Sequence, residues 1–146
     1  MAVKGISHVA VGVSDMERAL AFYRDTIGLT VTLDTEEDVF GGRRRAVYLR
    51  VDPGPHEFFI VLDQQIDNIP TNKPPRIMGL GTHHFSFWVD NLQEIFDQAI
   101  RAGFRPVTGP LDTDAEAYGE PAGSGRVLTA ILKDQDGNAV QLDQRL

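Results

Sequence analysis

Two stretches of the chain carry the same alternation of apolar and polar positions. Ile6-Ser7-His8-Val9-Ala10-Val11-Gly12-Val13 runs into Ser14-Asp15-Met16-Glu17, and Thr82-His83-His84-Phe85-Ser86-Phe87-Trp88-Val89 runs into Asp90-Asn91-Leu92-Gln93. With His84 laid on His8 the two align without a gap, so that Val13 falls on Val89 and Met16 on Leu92. Self-similarity of this kind marks one supersecondary unit written twice. A period of two predicts strands, whose side chains point alternately to opposite faces. Val9, Val11 and Val13 then share one face, with His8, Ala10 and Gly12 on the other. Phe85, Phe87 and Val89 share the matching face of the second copy, opposite His84, Ser86 and Trp88. The apolar rows need a core. The histidines therefore face the other way, among mostly small neighbours that leave room for a ligand. His83 falls on the core-facing row, which makes His84 the better functional candidate.

The remaining pattern fills in each unit. The first strand spans about 5–13. Ser14, three residues before Glu17, has the spacing of a capping box. Met16, Ala19, Leu20, Phe22 and Tyr23 give helical periodicity to about Asp25, and Gly28 ends the helix. Strands are predicted over 29–33, 45–51 and 57–63, separated by an acidic connection at 34–40, a Gly41-Gly42 turn, and the turn Asp52-Pro53-Gly54-Pro55. Pro70, Pro74, Pro75, Gly79 and Gly81 make 66–81 an irregular connector. A second helix starts near Asn91 and ends around Gly103, followed by a short strand at 104–107. A long polar loop is predicted over 109–125, of the length that often carries function. Strands at 127–132 and 139–143 flank the hairpin turn Asp134-Gln135-Asp136-Gly137-Asn138. The organisation is a first module at 1–65, a connector at 66–81 and a second module at 82–146, together forming one compact domain.

Composition narrows the function. Apolar residues make up 42% and charged residues 24% of the 146-residue chain, values ordinary for a soluble globular protein. No stretch is long and apolar enough to suggest a membrane helix, and Met1-Ala2-Val3-Lys4 leads directly into a strand without an apolar signal core. The absence of cysteine removes disulfides, thiolate zinc sites and a cysteine nucleophile. The expected location is cytoplasmic. A net charge of −7 argues against a nucleic-acid binder. The one basic run, Arg43-Arg44-Arg45, is either a solvated hairpin end or an anion-binding patch beside a ligand mouth.

Ile6 to Val11, Asp15 to Ala19 with Phe22-Tyr23, Thr82 to Phe87, and Asp134 to Leu142 together resemble the vicinal oxygen chelate superfamily of glyoxalases, bleomycin-resistance proteins and extradiol dioxygenases. The resemblance covers nearly the whole chain. It implies an α+β fold of two βαβββ modules, forming a curved, barrel-like mixed sheet with a concave ligand cavity. It also implies a divalent metal (Ni, Zn, Co, Mn or Fe) on that concave face, with ligands from the first and last strands of each module. His8 and His84 occupy the first-strand positions. Gln141 stands where a glutamate is usual, and Val61 stands at the fourth position. Valine cannot bind a metal, and glutamine binds only through a neutral carbonyl oxygen. The missing carboxylate counts against the two-histidine, one-carboxylate site of an iron dioxygenase. Asp143 and Asp63 lie two residues further on, on the same face by parity, as does Glu57.

Trp88 shares the face of His84, and Phe59 and Val61 add an apolar wall, giving the mixed lining typical of a small-molecule pocket. Tyr48 and Tyr118 are candidate acid/base or positioning groups, and Tyr118 and Gln141 are the catalytic candidates. Two functions remain open. One is a metal-dependent lyase, isomerase or dioxygenase acting on a small oxygen-bearing organic substrate. The other is a metal-free small-molecule binding or drug-sequestering protein of the same fold. The expected partner is a small molecule, with neither nucleic acid nor membrane, and homodimerisation is expected through exposed strand edges.

Overall fold

The computed structural model describes residues 2–52 and 58–146. The chain divides into two compact units, Met1–Asn72 and Lys73–Leu146. Each unit builds its own four-stranded mixed sheet.

In the first unit β1 (His8–Gly12) is followed by α1 (Met16–Leu20), β2 (Thr30–Val39), β3 (Gly42–Arg50) and β4 (Phe59–Gln65). The sheet order is β1-β4-β3-β2, with β1 parallel to β4 and the other pairs antiparallel. A parallel neighbour requires a long crossover, and α1 with β2 and β3 supplies it. The second unit repeats the plan with β5 (Phe85–Trp88), α2 (Leu92–Arg101), β6 (Arg105–Asp114), β7 (Arg126–Lys133) and β8 (Ala139–Arg145), ordered β5-β8-β7-β6. This is the expected pair of βαβββ modules. Parity holds as well. Val11 and Val13 are buried and His8, Ala10 and Gly12 exposed, while Phe87 is buried and Ser86 and Trp88 exposed. Val47, Leu49, Ile60 and Leu62 form the first core with Met16, Ala19, Leu20, Phe22 and Tyr23, and Leu92, Ala99, Val127, Leu132, Val140 and Leu142 are buried in the second.

The same two tertiary bonds recur in both units. Val13 N–H donates to Asp63 O and Val89 N–H to Asp143 O. Gln64 Oε1 accepts from Met16 N–H, and Gln144 Oε1 accepts from Leu92 N–H, each at 2.8 Å. A glutamine on the last strand thus caps the first turn of each helix. These bonds make Asp63 the counterpart of Asp143, and hence Val61 the counterpart of Gln141.

Several predicted elements are corrected. The N-cap of α1 is Asp15, whose carboxylate accepts from Glu17 and Arg18 N–H, not Ser14. Ser14 has the right spacing, but Asp15 is the residue held in the extended conformation that a cap requires. Beyond Leu20 the helix widens into a π-helical turn over Ala21–Thr26, closed by Ile27 N–H to Phe22 O. The acidic stretch read as a connection is strand β2. Glu36, Glu37 and Asp38 stand opposite Arg45, Arg44 and Arg43, and opposite charges across antiparallel strands offset a low strand propensity. The polar loop read at 109–125 begins as strand: β6 runs to Asp114 through two register irregularities and passes into a 3-10 turn, Ala115–Tyr118. Pro110 lies within this strand because β6 is an edge strand and tolerates proline. The strand predicted from Glu57 is described only from Phe59. Glu57 and Pro53-Gly54-Pro55 lie outside the described residues.

Candidate functional site

The register of the second sheet gathers a polar face. Ser86 lies opposite Gln141 and Trp88 opposite Asp143, while Gln141 lies opposite Ile131 and Asp143 opposite Thr129. Directly opposed residues share a face. Together with His84 and with Tyr118 from the 3-10 turn, these side chains line a cavity of about 670 Å³. Leu111 and Ala117 add apolar wall. Four of the predicted site residues, His84, Trp88, Tyr118 and Gln141, therefore meet in one cavity.

At its floor sits Asp143, only 3% exposed. Its Oδ1 accepts from Tyr118 Oη at 2.5 Å, Thr129 Oγ1 at 2.7 Å and Gln141 Nε2 at 2.9 Å. Ser86 Oγ bonds its Oδ2. A buried carboxylate costs little only where its oxygens are satisfied, and here four neutral side chains satisfy them. Burial, and then the bond to Asp143, push the Tyr118 phenol above its ordinary pKa, so it stays a protonated donor at neutral pH. Trp88 is 56% exposed, with the Arg145 guanidinium 4.6 Å above its ring and the Tyr118 ring 5.7 Å away. Arg145 is held in turn by Glu120, and this bond keeps the Glu120 carboxyl below the usual range.

The first sheet carries the other candidates on its matching face. His8 stands opposite Phe59, and Val61 opposite both Ala10 and Tyr48. The His8 ring stacks on Phe59 at 4.8 Å and 9°. Tyr48 approaches the same ring at 5.7 Å, and the Arg50 guanidinium lies 4.9 Å above it. Val61 is buried and offers no donor atom. Asp63 accepts from Arg44 Nη1. Burial raises its pKa, against the pull of Arg44 in the other direction.

The anion-patch reading of Arg43-Arg44-Arg45 is corrected. Arg44 bonds Glu37 and Asp63, and Arg45 bonds Asp34 and Glu17. The run sits at the hairpin end, as the second to fourth residues of β3, and the charge of Arg44 and Arg45 is met by carboxylates of β2, β4 and α1.

Both histidines are oriented through the same ring nitrogen by the residue before them. His8 Nδ1 lies 2.8 Å from Ser7 Oγ, and His84 Nδ1 lies 2.9 Å from His83 Nδ1. A contact at Nδ1 orients the ring and leaves Nε2 for a ligand, the arrangement that metal-binding histidines use. The donor chemistry can be tested unit by unit. The second offers His84 and the carbonyl end of Gln141, two neutral donors that suit a divalent ion of borderline softness. The first offers His8, while Val61 offers nothing. Among the described residues no group of three or more His, Cys, Asp or Glu gathers as a metal site. Ser86, Thr129 and Asp143 complete the cavity. Ser86 and Asp143 fall on the expected face, and Thr129 was passed over, although it shares a face of β7 with Ile131, opposite the buried Ala130 and Leu132.

The chain is 30% identical to an ethylmalonyl-CoA/methylmalonyl-CoA epimerase of Cereibacter sphaeroides, over 95% of this chain and 96% of that protein. Among solved structures, a glyoxalase family protein from Bacillus cereus superposes with a TM-score of 0.78 at 14% identity, covering 100% of this chain and 99% of that one. An antibiotic binding protein from Streptomyces sp. CB03234, TnmS3, gives a TM-score of 0.58 at 23% identity, covering 100% and 99%. The family model for the Glyoxalase/Bleomycin resistance protein/Dioxygenase superfamily matches residues 5–142, and the chain belongs to that superfamily.

Proposed function

We propose that the chain is an isomerase that inverts the carbon beside the carbonyl of an acyl-CoA thioester, acting on a 2-alkylmalonyl thioester. The observation that carries this reading is the 30% identity to the Cereibacter epimerase across 95% of the chain. In such a substrate the carbon lies between a thioester carbonyl and a carboxylate. Removing its proton leaves an enolate spread over two neighbouring oxygens, and returning a proton to the opposite face gives the other stereoisomer. Fixed polar groups that meet those oxygens lower the barrier.

The cavity of the second unit suits such a substrate. His84, Gln141 and Tyr118 provide the polar side, and Leu111 and Trp88 an apolar side for the alkyl group. Tyr118 Oη is proposed as a positioning or proton-carrying hydroxyl. A divalent ion, when bound, supplies a Lewis acid toward two adjacent oxygens. In the second unit His84 and Gln141 are the side chains proposed to hold it.

The test is deuterium uptake at C2 of methylmalonyl-CoA in heavy water, followed by mass spectrometry with and without added Co²⁺. Uptake that falls at least tenfold in His84→Ala supports the reading. No uptake under either condition overturns it.

A second reading, a metal-free binding protein, is favoured by the buried Val61, which offers no donor atom at the position matching Gln141. It predicts binding of an organic ligand that is unchanged by a chelator.

A further inference from the structure

We propose that Asp143 is a positioning residue that locks the orientation of the Gln141 amide, and that a glutamine rather than a glutamate occupies position 141 because Asp143 is there. The two side chains project from the same face of β8, and Gln141 Nε2 lies 2.9 Å from Asp143 Oδ1. A carboxylate oxygen accepts and an amide oxygen accepts. Turning the amide over would set two acceptors against each other at that distance, with Asp143 only 3% exposed. The NH₂ end therefore faces the wall, and the carbonyl end is offered to an electropositive partner, either a cation or an N–H or O–H group of a ligand. Tyr118 Oη lies 3.4 Å from the same Nε2 and braces it from a second side.

A glutamate at 141 would bring a second carboxylate against Asp143. The side chains bonded to Asp143 are Ser86, Tyr118, Thr129 and Gln141, all neutral. None of them offsets a second negative charge, and like charges at this spacing are strongly unfavourable away from water. The first unit provides the contrast. Its counterpart carboxylate, Asp63, is bonded by the Arg44 cation, and the residue two before it is Val61. One unit balances this carboxylate with a guanidinium, the other with an amide. The charge missing from position 141 is present at 143, one step along the same face, where it steers the amide.

The test compares thermal unfolding of the wild type with Gln141→Glu, Asp143→Asn and the double variant at neutral pH. Gln141→Glu is expected to lower the midpoint by about 4–8 °C, the shift that about 2 kcal/mol produces in a chain of roughly this length. The double variant is expected to regain most of that loss, because the amide introduced at 143 then donates to the carboxylate introduced at 141, reversing the polarity of the bond. A merely structural role for Asp143 gives additive losses instead, and additive losses or a Gln141→Glu midpoint equal to wild type would overturn the proposal. Should Gln141→Glu fail to fold, the Gln141 side-chain NH₂ resonances in the wild type decide the matter. Shifted, slowly exchanging protons that move to free-amide positions in Asp143→Asn support the lock, and free-amide behaviour in the wild type refutes it. Neither measurement uses a substrate, so their outcome is separable from that of the isomerase reading.

Discussion

At the level of single residues, polar satisfaction sets the energetics. Asp143 is tolerated inside the second unit because hydroxyl and amide groups surround it. Tyr118→Phe removes one of these donors while keeping the ring beside Trp88. It should cost about 1 kcal/mol of stability, measured by urea unfolding monitored at the single tryptophan. A loss near zero would mean that water replaces the phenol without penalty. A second effect at this level is pH-dependent. Hydrogen bonding from Arg45 holds the Asp34 carboxyl below its ordinary pKa. A group with a lowered folded-state pKa contributes stability above its unfolded value, about 3.9, and loses that contribution as the pH falls through the folded value. Asp34→Asn should therefore be less stable than wild type at neutral pH, with the difference vanishing in acid. Asp34 is 42% exposed in this pair, so the neutral-pH difference should be no more than about 0.5 kcal/mol.

Among the elements, each helix is started by a partner outside itself. Gln64 on β4 and Gln144 on β8 accept the first amide of α1 and α2. The side chain of Asn91 makes no capping bond to its own helix, so α2 depends on Gln144 more than α1 depends on Gln64, because α1 also has Asp15. Gln144→Ala should cost about 1–2 kcal/mol in chemical unfolding and Gln64→Ala less. Equal costs would show that Asp15 adds nothing to what Gln64 provides. Asp15→Ala should itself cost about 1 kcal/mol. The helices were readable from their apolar spacing, but the caps were not. A capping partner far away along the chain leaves no local pattern, and a serine at the right spacing imitates one.

Over the whole chain, two modules of one plan carry unlike chemistry on matching faces. The first places His8 on Phe59 and buries Val61. The second places His84, Gln141 and Asp143 around a cavity. The isomerase reading predicts that His84→Ala reduces bound metal after reconstitution with Co²⁺, measured by mass spectrometry on desalted protein. Unchanged metal content would remove His84 from the ligand set. Val61→Glu, which adds a carboxylate at the position matching Gln141, should destabilise the first unit by roughly 2–4 kcal/mol, because it places an ionised group at a site only 5% exposed. Chemical unfolding would read this directly, and a stable variant would show that the site opens to water more readily than its burial implies.

The repeat, the alternation that turns His8 and His84 away from the core, and the family were all legible along the chain. These are periodic signals, and periodicity survives in one dimension because backbone geometry imposes it on every strand and helix. The same alternation placed Trp88 and His84 on a face where a ligand could meet them, and the family resemblance added Gln141. Which carboxylates are neutralised, and by what, was settled only by folding. Arg44 and Arg45 read as a basic run until β2 brings Glu37 and Asp34 beside them. Asp143 read as a spare carboxylate until Tyr118 and Thr129 arrive from the 3-10 turn and β7. Hydrogen bonds and ion pairs act over about 3 Å between residues far apart in the chain. No local pattern encodes them, and the fold that creates them sets the chemistry of the site.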